Sequence, residues 1–167
     1  MHDDLNVSWE HALRPGYPGE HVVYGRGLTQ SEMTETKPIT RSLTIKAPID
    51  RVWAALADAR GVGDWMDDDG VVVEAHTGGT CRFFGGSTTG RVLRVEKPHL
   101  IEYSWRQEEW PAKWRDSTVT WELSALDGQN TRLTLVHKGF PNQKERDSHD
   151  EGWTDYWLGP MVAHLEG

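Results

Sequence analysis

The chain has 167 residues, 37% of them apolar, nine tryptophans and a formal net charge of −8. This fits a single domain whose large aromatic surfaces exclude wholesale disorder. The acidic balance repels phosphate backbones and anionic lipid, so no nucleic acid and no membrane partner is expected. No apolar run approaches the roughly 20 residues of a bilayer span. The N-terminus Met1-His2-Asp3-Asp4 lacks the apolar stretch of a secretory signal, and the lone Cys81 leaves no internal disulfide. The expected location is the cytoplasm.

Residues 1–37 carry Pro15, Gly16, Pro18, Gly19, Gly25 and Gly27 without sustained periodicity, apart from a short strand at 20–24. They read as an arm that packs on the domain or on a second protomer, which opens a homodimer, or as a mobile leader. The domain proper spans 38–167. Its first strand is 39–45, rich in β-branched residues. Pro48 is placed to open a helix, and Ile49, Val52, Trp53 and Leu56 form one apolar stripe at i, i+3, i+4, i+7. Gly61 and Gly63 are expected to end that helix, with a one-turn helix over 62–66.

After Asp67-Asp68-Asp69-Gly70, strands are expected at 71–76, 80–85, 90–96 and 100–106, with Gly78-Gly79, Gly85-Gly86 and Pro98 as turns. Two further strands, 117–126 and 131–138, flank Asp127-Gly128-Gln129-Asn130, a hairpin signal. Val119, Trp121 and Leu123 share one face, as do Leu133, Leu135 and His137; such alternation suits a sheet with one wet face. Ser148-His149-Asp150-Glu151 fits a capping box, and Trp153, Trp157, Met161 and His164 or Leu165 line the helix that follows. Eighteen residues of it would reach about 27 Å. Pro160 cannot donate to the carbonyl of Tyr156, so a kink is expected there.

A strand, a helix pair, an antiparallel run and a long closing helix make an α+β order in which that helix must cross the sheet. Four signatures sharpen this: Ile45-Lys-Ala-Pro-Ile-Asp-Arg-Val-Trp-Ala-Ala-Leu56, Trp65-Met66, Gly139-Phe140, and His149-Asp-Glu-Gly-Trp-Thr-Asp-Tyr-Trp157 with His164-Leu-Glu166. Together they resemble the branch of the START-like (SRPBCC, birch-pollen-allergen-like) superfamily named after the activator of the ninety-kilodalton heat-shock protein's ATPase. The resemblance covers residues 39–166. It implies a helix-grip fold, in which a curved antiparallel sheet of six to seven strands wraps a long C-terminal helix around an apolar cavity. Superfamily members carry lipids, cyclise polyketides, bind hormones, stimulate a chaperone or protect antibiotic producers. The branch brings no shared catalytic motif.

Trp65, Phe83, Tyr103, Trp105, Trp121, Trp153 and Trp157 fall on the apolar faces that would surround such a cavity, with Met161 beyond them on the closing helix. They are either ordinary core or the wall of a ligand site. His137, Arg82 and Tyr103 are the polar groups best placed to orient a ligand. His137 is a hydrogen-bonded core residue or, less in keeping with its apolar face, a base. His149 and His164 are expected at the surface or the helix end. Cys81 lacks any activating motif and reads as a small hydrophobe. Asp67-Asp68-Asp69-Gly70 fails the calcium-loop spacing and reads as a solvated turn. No spacing supports zinc, and no cofactor is expected. Parity puts Glu102 on the outer face and Asp155 off the tryptophan stripe, so no carboxylate pair converges. The expected function is therefore binding of a small hydrophobic or polycyclic ligand, as in sequestration or self-resistance. An aromatase/cyclase-type enzyme and a chaperone-associated interaction module are the alternatives.

Overall fold

Alternation of apolar and polar side chains builds the sheet. The computed structural model describes residues 36–167; the arm, its strand at 20–24 and any dimer contact made by it lie outside the described residues. The strands are β1 (Ile39–Ile45), β2 (Val72–Val73), β3 (Thr80–Phe83), β4 (Thr88–Glu96), β5 (Leu100–Gln107), β6 (Ser117–Ala125) and β7 (Thr131–Lys138). They form one seven-stranded sheet in the order β1-β7-β6-β5-β4-β3-β2, with every neighbouring pair antiparallel. β2 is shorter than expected. The chain turns back at Gly79, where a Cβ would sit 2.0 Å from the Glu74 carbonyl oxygen, and the Glu74 carboxylate accepts from the Thr80 N–H.

The register lines up the inward residues in rows. Tyr103, Val119, His137 and Ile39 form one row across β5, β6, β7 and β1, and Ile101, Trp121 and Leu135 form the next. All seven are buried. The expected inner faces of β6 and β7 are thus the concave face of the sheet, the face a covering helix desolvates.

Two short helices follow β1: α1 (Ile49–Ala57) and α2 (Ala59–Met66). The boundary between them is Asp58, whose carboxylate accepts from the Arg60 N–H and starts α2. Gly61 and Gly63 do not end a helix, as their sequence context suggests; both lie inside α2. A Cβ at Gly61 would fall 2.0 Å from the Ala54 carbonyl oxygen, so glycine lets the two helices touch backbone to backbone.

The closing helix starts earlier than expected. It comprises α3 (Gln143–Gly152), a π turn (Trp153–Leu158) and α4 (Gly159–Glu166), about 36 Å in all at the α-helical rise. Its N-cap is Asn142, whose side chain accepts from the Glu145 N–H. Ser148 is no cap: it lies within α3 and its hydroxyl donates to the Glu145 carbonyl. The backbone also stays helical through Pro160, with Gly159 at φ −57°, ψ −59°. At the position of the expected kink, Gly159 donates to the Thr154 carbonyl five residues back, a π turn. The wider turn relieves the clash between the proline ring and the preceding carbonyls. Arg41 binds Asp150 and Thr154, Arg51 binds the Leu165 carbonyl, and Glu166 accepts from the Lys46 N–H. These contacts hold both halves of the helix against the sheet side of the fold.

Candidate functional site

Between sheet and closing helix a cluster of rings packs among aliphatic side chains such as Ile101, Val119 and Leu135. On the helix, Glu145, His149, Trp153, Trp157, Met161 and Leu165 recur four residues apart and all are buried. In a straight α-helix each such step over-rotates by about 40°. The π turn, with more residues per turn, rotates the stripe back, so that all six stay turned inward. Trp157 meets Trp65 and Phe83 at 5.1 Å between ring centroids, and Trp121, stacked at 26°, at 5.7 Å. It also meets Phe84, Trp105 and Trp153. Trp105 packs on Trp153 at 4.9 Å and stacks on Phe83, which in turn meets Tyr103. The expected wall residues Trp65, Phe83, Tyr103, Trp105, Trp121, Trp153 and Trp157 therefore come together in one cluster. Met161, fully buried, is one step further along the same stripe.

A chain of hydrogen bonds runs through the rings, and its direction can be read because an indole nitrogen only donates. Trp153 donates to His137 Nδ1 at 3.0 Å. The proton of neutral His137 is thus on Nε2, which donates to Ser117 Oγ at 2.7 Å, and Ser117 donates to the Trp105 carbonyl at 2.9 Å. Trp105 Nε1 donates to His149 Nε2 at 3.1 Å, so His149 carries its proton on Nδ1 and donates it to the Glu145 carbonyl at 2.7 Å. Trp121 donates to the Tyr103 hydroxyl at 2.9 Å, and Trp110 to the Glu145 carboxylate at 2.7 Å.

Burial disfavours the charged forms of His137, His149, Tyr103 and Cys81. It pushes His137 well below the usual imidazole range, with nearby His149 adding to the effect, and lowers His149 to about 4 against a bond to the Glu145 carbonyl that raises it. It pushes the Tyr103 phenol well up, with Cys81 contributing and the bond from Trp121 opposing. The Cys81 thiol is driven to about 12 by burial and then by Glu74, so it is no thiolate nucleophile at neutral pH. Ser117 and His137 touch, but with the polarity opposite to a nucleophilic pair: His137 donates to the serine and uses its other nitrogen as an acceptor.

Among the described residues three buried side-chain atoms lack a hydrogen-bond partner, Thr36 Oγ1, Gln107 Nε2 and Trp157 Nε1, and of these Trp157 lies in the ring cluster. Trp157 Nε1 has no hydrogen-bond partner although the side chain is fully buried. The fully buried indoles of Trp105, Trp121 and Trp153 all have acceptors. Rings are what Trp157 meets, and a ring face is a weaker acceptor than an oxygen. A buried donor without a partner is uncommon enough to ask for an explanation.

Other candidates fall elsewhere. Arg82 does not enter the cluster; its guanidinium donates to the Gly70 and Gly85 carbonyls. The expectation of a solvated acidic turn is wrong for Asp68, which is buried and accepts from the Gly70 and Gly85 N–H groups. Together Asp68 and Arg82 tie the loop after α2 to the turn after β3. Beside them Arg60, Asp64, Asp67 and Asp69 border a surface hollow of about 610 Å³. Among the described residues, no group of three or more His, Cys, Asp or Glu side chains could hold a metal ion. Glu102 lies outward and accepts from Thr120, and Asp155 is exposed, so the two carboxylates do not converge.

Sequence reasoning misplaced His149, which is fully buried rather than on the surface, and passed over Ser117, Phe84, Trp110 and Glu145. The recurrence Glu145-His149-Trp153-Trp157 at steps of four was the available signal. It was masked because two of its four members are polar. Phe84 was hidden differently: it is a non-glycine residue at φ +53°, in a turn where glycine neighbours advertised a loop.

Comparison with known proteins agrees with the geometry. The family profile described as Activator of Hsp90 ATPase homolog 1-like protein matches residues 46–166. An uncharacterized Schizosaccharomyces pombe protein, C1711.08, is 24% identical over 81% of this chain, and the chain spans only 39% of that relative's length. Among solved structures, an HSP90 activator from Plasmodium falciparum (PFC0360w) superposes with a TM-score of 0.71 at 24% identity, over 78% of this chain and 96% of that one. CalU16 from Micromonospora echinospora superposes with a TM-score of 0.65 at 27% identity, over 78% and 74%. DynU16, a protein of the dynemicin biosynthetic locus, does so with a TM-score of 0.64 at 24% identity, over 78% and 48%. By its matched residues and its helix-grip architecture, this chain belongs to the family of activator of Hsp90 ATPase homolog 1-like proteins.

Proposed function

We propose that this chain is a cytoplasmic small-molecule binding protein that takes a hydrophobic, polycyclic ligand between its sheet and its closing helix. The observation that carries this reading is the indole N–H of Trp157, buried without an acceptor among the rings of the sheet and the helix. A purely structural core has no use for such a donor, which weakens the fold; a ligand oxygen would satisfy it. The helix supports the same reading, because Trp157 lies on a π turn, a feature that recurs at functional sites. The family relationship and the likeness to CalU16 and to DynU16 of the dynemicin locus suggest sequestration of a toxic metabolite as the biological setting.

A cyclase-type enzyme is less well supported. The two interior imidazoles each use one nitrogen as acceptor for an indole and donate from the other, which leaves neither poised as a general base. A thermal-shift panel of fatty acids, sterols, flavonoids and polyketides tests the proposal. At a hundred times Kd, binding would add about 2.7 kcal/mol, a rise of about 5–10 °C in Tm for a domain of this size. No shift across the panel would overturn it.

A second reading, assistance to an Hsp90-type chaperone, is favoured by the family profile. Its test is separate: the protein should speed the ATPase of such a chaperone at stoichiometric concentration, and no change in that rate removes this reading.

A further inference from the structure

Resting on the ligand-binding reading above, we propose that the ligand is an uncharged, flat aryl ketone or quinone-like compound whose carbonyl oxygen accepts the Trp157 indole N–H. The interior has donors to spare: Trp157 Nε1 has no partner, and the Tyr103 hydroxyl, which accepts from Trp121, still carries a proton of its own. Its imidazole acceptors are spoken for. His137 Nδ1 and His149 Nε2 each receive an indole N–H, and the Glu145 carboxylate receives that of Trp110. A ligand rich in hydroxyl or amine donors would strand them; one that brings carbonyl oxygens would complete the set.

A negative charge is excluded by the same inventory. The rings meeting Trp157 are those of Trp65, Phe83, Phe84, Trp105, Trp121 and Trp153, whose electron-rich faces cannot neutralise an anion. The polar groups behind them, His137, His149, Tyr103 and Cys81, are neutral. A carboxylate placed there would be desolvated without a counter-ion. Flatness follows from the wall: Trp121 stacks on Trp157 at 26° and Phe83 on Trp105 at 27°, so a planar ring inserted among them keeps offset-stacked and edge-to-face contacts.

Three matched probes separate these claims: 9-fluorenone, fluorene, which lacks the oxygen, and 9-fluorenone-4-carboxylate, which adds a charge. Binding to the full chain would be read by thermal shift and by the indole proton resonances, with Trp157 assigned from W157F. Fluorenone should bind about tenfold more tightly than fluorene and move the Trp157 indole proton downfield, and the carboxylate should bind far more weakly than either. In W157F the advantage of fluorenone over fluorene should vanish. Equal affinity of fluorenone and fluorene for the wild type, or equal affinity of the carboxylate and fluorenone, would sink this inference and leave the ligand-binding reading standing. If none of the three binds and the wider panel also fails, both fall together. Where W157F does not fold, the probe ranking and the response of the indole protons in the wild type decide between the same outcomes.

Discussion

Lowering the pH from 7.5 to 5.5 should weaken this fold by an amount set by two side chains. His137 and His149 are fully buried and held neutral, the first well below the usual imidazole range and the second at about 4. In the unfolded chain each returns to about 6.5. The folded-state values lie below the unfolded ones, so the unfolded state binds more protons below about pH 6.5, and stability is full above that pH and falls as the solution is acidified. At pH 5.5 an unfolded imidazole gains about 1.4 kcal/mol from protonation, whereas a folded one at about 4 gains almost nothing; the two together remove about 2.7 kcal/mol. Ordinary carboxylates titrate near 4 and add little in this window. The assay is urea unfolding followed by tryptophan fluorescence at pH 7.5, 6.5 and 5.5. H149Q, whose side-chain oxygen can still accept from Trp105, should show about half the loss. A stability that holds constant or rises on acidification would refute the protonation pattern, and with it the directions assigned to the hydrogen-bond chain.

Single contacts yield further expectations. N142A should cost about 1 kcal/mol through the lost helix cap, and S148A should cost less, the reverse of what the Ser148 capping box implies; thermal melts of the two variants decide it. G61A places a methyl 2.0 Å from the Ala54 carbonyl oxygen, so α1 and α2 must separate, and a loss of about 3 kcal/mol or more in chemical unfolding is expected. Y103F leaves the Trp121 indole without its acceptor and should cost about 1–3 kcal/mol. Cys81 is fully buried with its thiol pushed up to about 12; it should resist a thiol reagent such as DTNB in the native protein and react readily once unfolded.

The sheet was readable because its signal is local. Period-two alternation in β6 and β7 put Trp121, Leu135 and His137 on the inner face, and the register confirms it. A capping box at Ser148 and the apolar side chains from Trp153 onward place the closing helix, but about one and a half turns late. Its first two turns bury Glu145, Ser148 and His149, polar residues whose partners are the Trp110 indole, the helix's own carbonyls and the Trp105 indole. A periodicity argument scores these positions as solvent-facing. Asp68 failed for a related reason: its partner at Gly85 is seventeen residues away, and nothing in an acidic turn signals a long-range contact. Pro160 illustrates a third limit. Proline forbids a regular α turn, but it does not say that the chain answers with a π turn over Trp153–Leu158.

The central claim is that the sheet–helix interior binds a ligand, and fluorine NMR of protein labelled with 5-fluorotryptophan tests it most directly, with 9-fluorenone as the titrant. The resonances of Trp105, Trp121, Trp153 and Trp157 should move with one saturable affinity while that of Trp114, which packs on Trp110, stays put. Movement confined to Trp114, or no movement up to the solubility limit of the probe, would contradict that claim.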